Sequence, residues 1–269
     1  MTALRPIRPL PLAGLTPATV GRELPELVWV DPTKLLIDAT YQRNLSERSI
    51  RLIRRMVENF AWNRVKPLIG VRVDGAIHII DGQHTGIAAA TLKIPKVPVF
   101  VVAAGTVDER ARAFVGHNTD RLVVSPFDIY QALLASGDEE ATDVANVCKR
   151  AGVRIRQISP SSAISPGDTA AVGRVRGLVA RRGVKDARRV LQCLVSAKRA
   201  PISSAEITAA DHIICVERKA IELDVLAAAI RIDGTDGLLE AQAKAKKARS
   251  PIWKELASRW LQLLDRSAK

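Results

Sequence analysis

Aromatic side chains are scarce in this sequence. They make up 4% of the 269 residues, as four Trp, four Phe and two Tyr. Proteins that hold unpaired nucleic-acid strands stack successive bases on aromatic rings. The low aromatic content therefore argues against a surface that stacks the bases of single strands.

Cysteines are also few, and long apolar runs are missing. The three cysteines form no C-x-x-C pair, which argues against a disulfide framework or a zinc site. No apolar run approaches the roughly 20 residues that a membrane span requires. Four prolines interrupt the N-terminal apolar residues, so we predict an extended arm over residues 1–28 rather than a signal peptide. The sequence thus predicts a cytoplasmic protein with no membrane partner.

Acidic residues are too few to balance the basic ones. Lys and Arg number 41 against 28 Asp and Glu, which gives a net charge of +13. The excess is concentrated in residues 149–199, where 13 basic residues face 2 acidic ones. Such a segment suits a polyphosphate partner, because Lys and Arg neutralise the phosphates and release counterions.

The basic segment is also patterned for helices. Ser165-Pro166 is typical of a helix start, Gly183 of a helix end, and a second helix is predicted over residues 185–197. We interpret these helices as a duplex-DNA surface, and the alternative is a solvated face of a basic protein. The predicted DNA-binding residues are Arg174, Arg176, Arg181, Arg182, Lys185, Arg188 and Arg189.

The flanking segments are predicted to be helical as well. Residues 127–152 are predicted to form two helices. The second of them, with the Gly turn at position 152 that follows it, resembles the opening of a helix-turn-helix, and a plain helical bundle is the alternative. A turn over residues 234–237 is predicted to precede a final helix. That helix carries the apolar stripe Trp253, Leu256, Trp260 and Leu263, which favours docking onto its own core and leaves a homodimer open.

One segment has the outline of an anion site. Residues 77–81 have an apolar strand pattern, followed by a predicted polar turn from Gly82 to Gly86 and a small-residue helix from Ala88 to Leu92. A helix N-terminus carries unpaired N–H groups and partial positive charge, so it can receive a phosphate. Asp81 and His84 are the candidate catalytic residues of this turn, and no metal ligands can be assigned.

The order of elements around this box resembles the N-terminal domain of the ParB and sulfiredoxin-like superfamily. The resemblance covers residues 29–124 and includes an entry segment Tyr41-Gln42-Arg43, a Pro-led strand at Pro67, the Asp81 box and the V-P-V strand at Val97. The box resembles the D-G-Q-H-R subgroup, with Thr85 in place of the arginine. A second box, His117 to Arg121, is similar to the E-N-x-Q-R box of ParB proteins at its Asn and Arg positions.

The resemblance implies a phosphate or nucleotide site, with a nucleotide and Mg²⁺ as candidate cofactors. The residues carried over to it are Arg43, Gly82, Gln83, His84, Thr85, Gly86, Asn118 and Arg121. Because the arginines of the family's G-E-R-R-x-R box are absent, the sequence leaves open whether the protein is an enzyme.

We therefore predict an α+β protein with four regions. They are the arm, a small mixed α/β ParB/sulfiredoxin-like domain over residues 29–124, a basic helical DNA-binding region over residues 125–200 and a helical C-terminal region over residues 201–269. The chain after the first domain is thus predicted to be all-α. The favoured function is ParB-like binding of duplex DNA, with an N-terminal domain that senses a nucleotide. The alternative is a nuclease or nucleotide phosphohydrolase that acts at the turn from Asp81 to Gly86.

Overall fold

The computed structural model describes residues 6–10, 13–16, 18–21, 23–42, 44–120, 123–217 and 220–267. The chain divides into two compact units, Met1–Leu122 and Val123–Lys269. Two predicted site residues, Arg43 and Arg121, lie outside the described residues.

The first unit is built on a mixed five-stranded sheet. Its strands are β1 (Glu26–Val30), β2 (Leu35–Ile37), β3 (Leu68–Val73), β4 (Ala76–Asp81) and β5 (Val97–Val101). They lie in the order β1-β5-β3-β4-β2, in which β1 with β5 and β3 with β4 pair antiparallel. The other two pairs, β3 with β5 and β2 with β4, are parallel.

Three helices accompany this sheet: α1 (Glu47–Glu58), α2 (Gln83–Thr91) and α3 (Val107–Thr119). Ser46 caps the first, and Thr106 forms a reciprocal capping box with Glu109 at the start of the third. The core consists of apolar strand residues and one alanine of α2: Leu68, Ile77, Ile79, Ala89, Val97 and Val99.

The second unit is mainly helical. Its helices are α4 (Pro126–Ala135), α5 (Glu139–Ala151), α6 (Val172–Ser196), α7 (Ser204–His212), α8 (Leu223–Ala248) and α9 (Ile252–Ser267). Two short strands, β6 (Arg154–Ile155) and β7 (Asp168–Thr169), pair in parallel within the connection from α5 to α6. The structure thus confirms the α+β class with a helical C-terminal region, to which it adds this small strand pair.

The predicted start of α6 is wrong. The helix begins at Val172 and not near Ser165, because Asp168 and Thr169 are held in β7. Asp168 is fully buried and binds Arg154 through Nε at 2.7 Å and the backbone N–H of Ser165 at 2.9 Å. Gly183 does interrupt the helix as predicted, with a φ of 70° at a kink.

The turn predicted over residues 234–237 is confirmed only at Gly234, whose φ of 62° and ψ of −160° are not helical. The helix resumes after this kink, and the predicted final helix is interrupted a second time at Arg249, Ser250 and Pro251. Gly237 has no side chain to displace the buried carboxylate of Asp233, which accepts a hydrogen bond from Nε1 of Trp260 at 3.0 Å. Trp260 and Leu256 are buried in the second unit, which confirms that the apolar stripe of the last helix packs onto its own core.

The helix pair α5 and α6 does not have the tight turn of a simple helix-turn-helix. Helix α5 ends at Gly152 in the left-handed conformation, and residues 153–171, which include β6 and β7, separate it from α6. None of the described helices is long and apolar enough to cross a membrane.

Candidate phosphate site and basic helix surfaces

The Asp81 box lies where β4 runs directly into α2. The prediction of a turn from Gly82 to Gly86 is wrong in extent, because residues 83–86 already form the first turn of the helix. The backbone N–H of Gly86 donates to the carbonyl of Gly82 at 3.0 Å. Gly82 alone changes the direction of the chain between β4 and α2, with φ 99° and ψ 14°. A left-handed residue lets the chain leave the strand and enter the helix within one position.

Gly82 also lies tightly against β3. A Cβ at this position would be 2.8 Å from Cγ of Leu68 and 3.3 Å from its Cα. A Cβ at Gly86 would be 3.3 Å from Cδ2 of the same leucine. The start of α2 therefore packs closely on the sheet, and this approach requires a glycine at position 82.

The start of α2 has the features of an anion site. Helix geometry leaves the N–H groups of Gln83, His84 and Thr85 without an acceptor in the helix, and Gly82 provides no side-chain cap. The residues from Asp81 to Gly86 are partly exposed, so an external anion can reach this turn. The helix dipole favours negative charge at the same position.

Gln42 holds the entry segment against the end of β4. Its side chain is buried, and its Nε2 donates to the carbonyl of Ile79 and lies 3.5 Å from that of Ile80. The structure thus brings the Tyr41-Gln42 segment and the Asp81 box together.

The second box is only partly described. Asn118 lies in the last turns of α3, and its Nδ2 donates to the carbonyl of Phe114 at 2.8 Å. One of its amide donors is therefore used inside the helix. Within the described residues there is no cluster of three His, Cys, Asp or Glu side chains that could hold a metal ion. The catalytic roles of Asp81 and His84 stay predictions.

A buried polar group that the sequence did not indicate belongs to the same unit. Arg110 of α3 is 6% exposed and donates from Nη1 to the carbonyl of Gly105 at 3.0 Å. The ring of Tyr41 lies 5.8 Å from that of Phe114, and burial raises the pKa of its hydroxyl, although the nearby Arg110 opposes the rise. A lone arginine in a helix gives no local signal that it will be buried.

The cations of α6 fall into two groups. Four of the seven predicted DNA-binding residues form ion pairs inside the second unit. Arg182 donates to Asp211 at 2.6 Å, which raises the pKa of its guanidinium, and Arg181 lies 3.6 Å from the same carboxylate. The other two pairs are Arg176 with Glu140 at 3.1 Å and Arg189 with Asp186 at 3.2 Å.

The remaining three cations are exposed. Arg174, Lys185 and Arg188 have no acidic partner within ion-pair distance among the described residues. We call these three residues the α6 triad. At the end of the adjacent helix α5, Lys149 and Arg150 are likewise exposed. The second unit thus presents cations whose charge its own carboxylates do not neutralise.

Comparison with solved structures finds proteins of the ParB and sulfiredoxin type. The C-terminally truncated chromosome-partitioning protein ParB from Caulobacter crescentus, complexed with CTP-gamma-S, is 9% identical, with 89% of this chain and 99% of that chain covered and a TM-score of 0.35. The same protein complexed to the centromeric parS site is 12% identical, with coverages of 86% and 98% and a TM-score of 0.31. Sulfiredoxin from Arabidopsis thaliana is 17% identical, with coverages of 36% and 100% and a TM-score of 0.26.

No family model and no curated protein matches the chain. The matched structures come from the two branches that the sequence motifs resemble. The D-G-Q-H-R subgroup stays a prediction.

Proposed function

We propose that this protein binds duplex DNA through the basic helical surface of its second unit. The observation that carries the proposal is the α6 triad of exposed cations without acidic partners. Surface cations that are already paired gain little from an added phosphate, whereas unpaired ones can replace the condensed counterions of DNA. We therefore assign the predicted DNA contacts to Arg174, Lys185 and Arg188.

The four paired arginines have a different role in this proposal. Arg182 donates to a carboxylate whose side chain is 8% exposed, and it joins α6 to α7. A buried carboxylate without its cation is costly, so this arginine is held by the fold. Arg176 similarly joins α6 to α5 through Glu140.

Fluorescence anisotropy with a labelled duplex tests the proposal. Replacing all three residues of the α6 triad with Ala is expected to weaken duplex binding at least tenfold, since three phosphate contacts are removed. The matched control replaces Lys246, Lys247 and Arg249, which are three exposed cations at the end of α8. It removes the same charge from a different helix and is expected to change affinity less than threefold. Equal losses in the two variants would contradict the assignment to α6.

The start of α2 supports a second, separate role in sensing a phosphate or nucleotide. Its uncapped N–H groups and the tight Gly82 junction suit a phosphate, and a bound Mg²⁺ would share the charge of a polyphosphate. A nucleotide that binds there is expected to raise the melting temperature of the protein, and Thr85→Glu, which places a negative charge at the site, is expected to abolish the increase. An unchanged increase in this variant would place the nucleotide elsewhere.

The enzymatic alternative can be tested with the same proteins. A nuclease or phosphohydrolase that uses this site would lose turnover in Asp81→Ala and His84→Ala but keep duplex binding. Loss of duplex binding in these two variants would instead show that the box supports the fold.

A further inference from the structure

Although aromatic residues are scarce, the first unit gathers three of them on one surface. The ring of Trp62 lies 5.9 Å from that of Trp29 and 5.4 Å from that of Phe60, both edge to face. Trp29 is 55% exposed and Trp62 is 51% exposed, and Leu27 beside Trp29 is 52% exposed. Large apolar side chains exposed together mark an interaction surface.

This cluster arises from the alternation of an edge strand. In β1, Val28 and Val30 point into the core, so Leu27 and Trp29 lie on the opposite face. Trp62 reaches this strand from a short 3-10 turn, Trp62–Arg64, in the connection from α1 to β3. The edge-to-face contact holds the two indole rings against each other, while about half of the surface of each tryptophan residue is exposed.

Exposed cations precede and follow Trp62 in the sequence. Arg64 and Lys66 follow it directly, and both are exposed. On α1, Arg48, Arg51 and Arg55 are spaced by three and four residues, so they share one helix face, and all three are exposed. Arg51 approaches Glu47 at 3.8 Å, but both side chains are more than 70% exposed, so this pair neutralises little of the charge.

The chain segment from α1 to Lys66 carries an excess of positive charge. Residues 47–66 contain six basic and two acidic residues, and only residues 59–61 separate the end of α1 from the turn of Trp62. This segment does not stand out in the sequence, because the densest basic window of the chain, residues 149–199, lies in the second unit.

We propose that this surface binds single-stranded nucleic acid, with unpaired bases stacked on Trp62 and Trp29 and the backbone phosphates on the arginines of α1 and on Arg64 and Lys66. Cations favour a polyanion, and open indole faces favour flat rings. In a duplex the base faces are stacked on one another and cannot reach the indoles, so a single strand is the better fit. This site lies in the first unit and is separate from the α6 triad.

Anisotropy of the full chain with labelled oligothymidylate tests this site. Trp62→Leu keeps an apolar side chain but removes the π-face, and it is expected to weaken binding about tenfold. Trp62→Phe keeps a ring and is expected to stay within a few-fold of the original protein. Replacing Arg48, Arg51 and Arg55 with Ala is expected to reduce the salt slope for the single strand by about 2, from about 0.7 per phosphate contact.

Duplex binding and the α6 triad variant distinguish this site from the proposed function. The α6 triad variant is expected to keep its affinity for oligothymidylate, and Trp62→Leu is expected to keep its affinity for the duplex. Unchanged oligothymidylate binding in Trp62→Leu, or an equal loss for both strand forms, would overturn the single-strand site. Concentration-dependent self-association that Trp62→Leu abolishes would overturn it as well, in favour of a protein interface.

Discussion

Alanine at Gly82 tests the geometry of the junction between β4 and α2. Gly82 has a φ of 99°, and an added Cβ would lie 2.8 Å from Cγ of Leu68. A left-handed conformation costs a residue with a Cβ about 1–2 kcal/mol. Relief of the contact with a core leucine adds about 1–3 kcal/mol, as in other overpacked interiors. We therefore expect Gly82→Ala to destabilise the first unit by about 2–5 kcal/mol.

Two other glycines of the same unit separate the cost of the backbone conformation from the cost of the contact with Leu68. Gly75 has a φ of 81°, but nothing lies within 4 Å of its Cβ position, so Gly75→Ala is expected to cost only about 1–2 kcal/mol. Gly86 is helical, and its Cβ would meet only the end of the Leu68 side chain at 3.3 Å. The better helix propensity of Ala, about 1 kcal/mol, is expected to offset that contact, so Gly86→Ala should be near neutral.

Hydrogen exchange measured on peptides of the full chain is the appropriate assay, because it assigns the free energy of opening to the β3 and β4 segments and keeps the second unit as an internal reference. We expect exchange in β4 to be fastest in Gly82→Ala. Equal protection in the Gly82 and Gly75 variants would refute the close approach of Leu68, because the backbone cost alone would then explain both.

Three further predictions concern the second unit. Burial alone would raise the pKa of Asp168, but hydrogen bonds from Arg154 and from the Ser165 N–H outweigh it and hold the pKa below its ordinary value of 3.8. The stabilisation from this carboxylate should be complete above pH ~4 and be lost as the pH falls through the lower pKa of the folded state. Asp168→Asn should therefore flatten the acid side of a plot of unfolding free energy against pH, and an unchanged plot would contradict this. Burial raises the pKa of Cys148 and of Cys193 to about 12. At pH ~8 a thiol reagent should therefore label these two cysteines only after the protein is unfolded in urea. Rapid labelling of the folded protein would refute their burial. Arg182→Ala should lower the free energy of unfolding by about 1.5–3 kcal/mol because Asp211 loses its hydrogen-bonded cation and keeps only the more distant Arg181. Arg174→Ala should change it by less than about 0.5 kcal/mol, and equal effects in urea titrations would contradict the division of α6 cations into paired and unpaired groups.

Local patterns and the family resemblance carried most of the fold prediction. The strand before the Asp81 box followed from its apolar pattern, and the order of the other elements in the first unit came from the resemblance to the ParB and sulfiredoxin-like domain. The break of α6 at Gly183 followed from a residue that favours positive φ. The sequence predicts a turn that is too long, from Gly82 to Gly86, because Gly, His and Thr are poor helix formers. In the structure, one glycine in the left-handed conformation is enough to start α2. Tertiary packing overrides such weak local preferences.

The candidate site was harder to predict because its electrostatics are set by long-range contacts. Arg182 and Asp211 are 29 residues apart in sequence, and Arg176 and Glu140 are 36 apart. No helical periodicity shows that such cations are already paired. The same limit explains why the cluster of Trp29 and Trp62 was missed, since its members are joined only through the sheet edge.

The salt dependence of duplex binding tests the central claim most directly. For each phosphate contact the slope of log K against log salt is about 0.9, so loss of the three contacts of the α6 triad should reduce the slope by about 3. The control variant at Lys246, Lys247 and Arg249 should keep the slope of the original protein. A slope that is unchanged in the triad variant, or duplex binding that is absent even at low salt, would contradict a DNA surface on α6.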